Sequence, residues 1–113
     1  MMKKFYFAFL TFLLISTVNS FAQVTVGVTP YTTVGAAFAA INAGTHTGAI
    51  TVNINANTTE PVTAVLNSSG TGAANYTSVL VTPTANVTVT GSIVGAIIKL
   101  NGADQVTIDG NNQ

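Results

Sequence analysis

Residues 34–54 read VGAAFAAINAGTHTGAITVNI, and the hydrophobic period changes part-way through. In the first half Val34, Ala37, Phe38 and Ile41 fall at i, i+3, i+4 and i+7, which gathers four apolar side chains on one face of a helix. Thr32 or Thr33 can cap its start, and Gly44 stands where a C′ glycine belongs, so the spacing predicts a helix over 34–43. A helix of about ten residues is too short to persist alone in water and must pack on something. In the second half Ile50, Val52 and Ile54 alternate with Thr51, Asn53 and Asn55, the period of two expected of a strand with one buried face. Between them Gly44-Thr45-His46-Thr47-Gly48 reads as a loop bounded by glycines.

The rest of the chain is strand-like. Before the helix, Val24 to Val28 alternates apolar and small residues, and Pro30 breaks that pattern. After it come a turn at 57–60, an apolar segment from Pro61 to Leu66, and a glycine- and serine-rich loop from Ser68 to Asn75. Val79-Leu80-Val81, Val87-Thr88-Val89, Ala96 to Leu100 and Val106-Thr107-Ile108 then follow at regular short intervals. Short strands punctuated by turns suit a parallel β-solenoid, with a β-sandwich as the alternative. The helix favours the solenoid, because the end of such a stack exposes apolar side chains and strand edges that a cap must cover.

Residues 1–22 stand apart from this fold. Lys3 and Lys4 precede an apolar run from Phe5 to Ile15, and Ser20-Phe21-Ala22 is a small-x-small pattern ahead of Gln23. That order is expected of a secretory signal peptide cleaved after Ala22, and the run is too short for a membrane span of about 20 residues. The expected product is secreted or held at a bacterial cell surface, with no membrane attachment after cleavage. Residues 23–113 then carry Lys99 against Glu60, Asp104 and Asp109, with no arginine. One lysine cannot neutralise a phosphate backbone, which excludes nucleic acid as a partner. The absence of cysteine excludes disulfides and thiol chemistry.

The stretches AFAAINAGTHTGAITVNINANTTEP (37–61), VLNSSGTGAANYTSVLVTP (65–83) and LNGADQVTIDG (100–110) together resemble the N-terminal region of large secreted bacterial proteins. Those proteins carry right-handed parallel β-helix, pectate-lyase-like repeats and typically use the type IX export route. The resemblance implies that residues 23–113 are the N-terminal cap and first rungs of a longer, truncated β-helix. Its partners would be downstream rungs of the same protein, and polysaccharide or cell-surface glycans.

Few residues could carry chemistry. Asp104 and Asp109 flank one short strand, and five residues of extended chain span about 16 Å, too far for the paired carboxylates of a glycosidase. Turn roles are expected instead: Asp104 accepting a bond from the backbone two residues on, and Asp109-Gly110 closing the strand with a positive φ at the glycine. Val106 and Ile108 are expected to face the core. His46 has no carboxylate or second ligand nearby in sequence, so an exposed or backbone-bonded ring is expected. Glu60, ahead of Pro61, reads as a solvated turn residue. No nucleophile elbow, phosphate loop or metal-ligand spacing occurs, so no catalytic, cofactor-binding or metal residue is assigned. The expectation is a non-catalytic structural module. The alternative is the N-terminal part of a polysaccharide lyase or glycoside hydrolase whose site lies in later rungs.

Overall fold

The computed structural model describes residues 22–110. Residues 1–21, all but the last residue of the expected signal peptide 1–22, lie outside the described residues. The described residues are mainly β with one short helix. In chain order the elements are β1 (Val24–Val26), β2 (Thr29–Tyr31), α1 (Val34–Asn42), β3 (Gly48–Ile54), β4 (Thr58–Thr59), β5 (Ala64–Asn67), β6 (Tyr76–Pro83), β7 (Val89–Thr90), β8 (Ile98–Asn101) and β9 (Val106–Ile108).

Three sheets form, and none is closed. The largest runs β2-β1-β3-β6-β9, antiparallel from β2 to β3 and parallel from β3 to β9. The others are the parallel pairs β4-β7 and β5-β8. The chain thus visits the three sheets in the order β3, β4, β5 and again in the order β6, β7, β8, each later strand lying parallel to its counterpart. Inward residues stack in register: Ile50 on Val79 on Val106, Val52 on Val81 on Ile108, and Leu66 on Leu100.

Helix α1 begins and ends where its chemistry directs. Thr33 is the N-cap, its Oγ1 accepting from the Ala36 amide at 3.0 Å. At the other end Gly44 N–H donates to the Ile41 carbonyl and Thr45 N–H to that of Ala40, both at 3.0 Å, with Gly44 at φ 77°. This is a Schellman stop, and it needs a residue without a Cβ cost at positive φ. A Cβ on Gly44 would also meet the Ala73 carbonyl oxygen at 2.6 Å. The helix buries Val34, Ala37, Phe38 and Ile41, the four residues of its apolar face, against β5 and β1.

Some boundaries differ from expectation. The segment around Pro30 is strand β2, tolerated because it is the outer edge of its sheet, where a missing N–H breaks no ladder bond. Gly27, at φ 59°, opens the two-residue hairpin from β1 to β2. Residues 58–59 are strand β4 rather than turn, since two residues are too few to show a period. Strand β6 extends from Tyr76 to Pro83, well beyond the apolar Val79–Val81.

Candidate functional site

The two ends of the strand ladders differ in how they are finished. At the β3 side, strands β3 and β5 are covered. Strand β1 pairs with β3, and the Gln23 carbonyl continues that edge by accepting from Asn55 at 2.7 Å. Asn42, the last residue of α1, serves β5: its Nδ2 donates to the Val65 carbonyl and its Oδ1 accepts from the Asn67 amide, both at 2.9 Å. One side-chain amide thereby satisfies a donor and an acceptor that a sheet edge would leave open.

The residue following β4 completes this cover. Glu60 is 1% exposed, which corrects the expectation of a solvated turn residue. Its Oε1 accepts from the Val34 amide at 2.8 Å and its Oε2 from the Gly35 amide at 3.0 Å. The Thr58 hydroxyl lies 3.5 Å from Oε1. Helix α1 has no acidic residue of its own in its first turn. A carboxylate from a distant loop therefore meets the positive end of the helix dipole and ties up two orphan N–H groups. A Cβ at Gly35 would sit 3.0 Å from Glu60 Oε2, so a larger residue there would crowd the carboxylate.

The opposite end is open. Val52 is 0% exposed and Val81 1%, whereas Ile108, next in the same stack, is 51% exposed. Leu66 is fully buried, and Leu100 above it is 43% exposed. Ile108 is thus on the inward side of its strand, as expected, but it is not buried: no described element lies over it. Val106 packs partly against the core.

The remaining candidates are dispersed. Asp104 is exposed and makes no hydrogen bond among the described residues, so the expected bond from Val106 is not formed. The turn instead runs through Gln105 at φ 57°. The Asp109 amide donates to the Val81 carbonyl at 2.9 Å, continuing the β6–β9 ladder, and Gly110 does not adopt a positive φ, against expectation. His46 is half-buried and not backbone-bonded. Its Nε2 pairs with the Tyr31 hydroxyl at 2.7 Å, the rings meeting edge to face. It lines an open groove with Thr45, Thr47, Thr51 and Asn53 but no carboxylate. Tyr76 donates its hydroxyl to the Asn67 carbonyl, and burial pushes its phenol pKa above the usual 10.0.

Among the described residues no three His, Asp or Glu side chains come close enough to hold a metal ion. No described helix is long and apolar enough to cross a membrane. No family model matches the chain, and no curated protein or solved structure matches it either. Glu60 is the functional residue that sequence reasoning misread. The signal available was a capped helix with no first-turn acid in a chain holding only three acidic residues.

Proposed function

We propose that this chain is a non-catalytic structural module, the cap and first rungs of a right-handed parallel β-helix in a secreted or cell-surface protein. One observation carries the reading: the in-register stack Val52–Val81–Ile108 is sealed at the cap and half-exposed at its far end. A fold that covers one end with α1, the β1–β2 hairpin, Glu60 and Asn42, and leaves the other as bare ladder, is built to start a stack. The cap supplies a fixed first register. Each later strand then needs only to add in parallel, so apolar positions remain inward. The same reading makes further rungs of the protein the partner of the open end, and export after cleavage at Ala22 the route to the surface.

Adding a rung tests this. Residues 84–110 joined again after Gly110, in the register that sets Ile108 against Val81, should raise the thermal midpoint by about 5–10 °C, because the repeated strands then lie over Leu100 and Ile108. An unchanged or lowered midpoint, with Ile108 still solvent-accessible by hydrogen exchange of its amide, would contradict the reading.

A further inference from the structure

Strand β9 presents more than an apolar face. The Gln105 carbonyl accepts from Val79, and the Asp109 amide donates to Val81. Backbone groups alternate in direction along a strand, so Thr107 also turns its N–H and C=O toward β6. Val106 and Ile108 must then point theirs away from β6, toward the open end. Their side chains lie inward, continuing the stacks of Val79 and Val81. The open edge therefore combines backbone groups that meet no partner among the described residues with partly exposed apolar side chains at the same two residues. Pro, bulge and lysine, the usual blocks to edge pairing, are all absent from β9 itself.

We infer that, where no rung covers it, this edge takes a second copy of the same chain, β9 against β9 in an antiparallel two-fold pair. The inference rests on the open end described under the proposed function. Head-to-tail stacking is disfavoured, because the opposite end is capped by α1 and the outer edge strand there, β2, carries Pro30, which offers no N–H on its open side. An isologous contact uses the same patch on both copies and closes as a dimer. Centring it on Thr107 pairs Val106 with Ile108 of the second copy as hydrogen-bonded partners, and each inward stack continues into the other molecule. It also sets Asp109 opposite Gln105 of the second copy, so no carboxylate directly opposes another. Thr107 faces Thr107 as a non-hydrogen-bonded pair, with Cα atoms about 4.5 Å apart.

That separation suits a disulfide, and the chain has no native cysteine to confuse the result. In the processed chain beginning at Gln23, Thr107→Cys should cross-link to a dimer under mild oxidation at least tenfold faster than Thr51→Cys, which lies outward on the interior strand β3. Sedimentation of the unmodified chain should show the mass doubling between about 10 µM and 1 mM. Ile108→Lys should remain monomeric across that range with its helix signal retained. A monomer at 1 mM, equal cross-linking at both cysteines, or growth into filaments would overturn the inference. If the added rung stabilises a chain that stays monomeric, only the dimer fails. If neither occurs, the proposed function fails with it.

Discussion

Phe38→Ala should destabilise the protein by about 3–5 kcal/mol. Phe38 is fully buried at the centre of the face that α1 turns toward β5 and β1. Truncation removes the largest side chain of the helix and leaves a void that small, fully buried residues such as Ala37 on the same face and Ala64 on β5 cannot fill. The helix is nine residues long and has no independent stability, so loosening its anchor also loosens the cap. Against a total of about 5–15 kcal/mol for a domain, the loss is large. A thermal melt followed by circular dichroism should show a fall of about 15–30 °C. Val94→Ala, at a fully exposed position, should move the same melt very little. A change of under about 1 kcal/mol for Phe38→Ala would mean that the helix is not the seal of the core.

Glu60→Ala should cost about 3 kcal/mol, with Glu60→Gln intermediate. The alanine variant strips the buried Val34 amide and the part-buried Gly35 amide of their acceptor. Glutamine keeps the shape, but its NH₂ group must face one of two N–H donors. Because the interaction is buried, the loss should persist at high salt, unlike that of a surface ion pair. Chemical denaturation at low and high salt measures both points. Equal stability of wild type and Glu60→Ala would show that the carboxylate contributes nothing to holding the helix on the strands.

The legible parts of the fold were those that local pattern determines. The four buried residues of α1, its Gly44 stop and a cap at Thr32 or Thr33, of which the structure uses Thr33, were all legible in one short stretch. The alternation of Ile50, Val52 and Ile54 likewise announced β3. What could not be read was pairing between distant segments. Glu60 looks solvated in its own neighbourhood of Thr59 and Pro61, and its acceptor role exists only because the chain returns to the start of the helix. The same holds for Asn42 on Val65 and Asn67. Strand β4, two residues long, owes its extended form to β7 rather than to any pattern of its own, whereas β7 was signalled by Val87-Thr88-Val89 but begins only at Val89. For Ile108 the face was legible and the exposure was not, since burial depends on what lies above the strand.

Residue-resolved amide hydrogen exchange tests the one-sided cap most directly, using the Ile108→Lys variant to keep the protein monomeric. Amides of α1 and β3 should exchange only through global unfolding, those of β6 somewhat faster, and the Asp109 amide at the end of β9 about a hundredfold faster than β3. Protection falling in that order from the covered end to the open one is the expected result. Equal protection of β9 and β3, or exchange of α1 as fast as that of β9, would contradict a stack sealed at one end and open at the other.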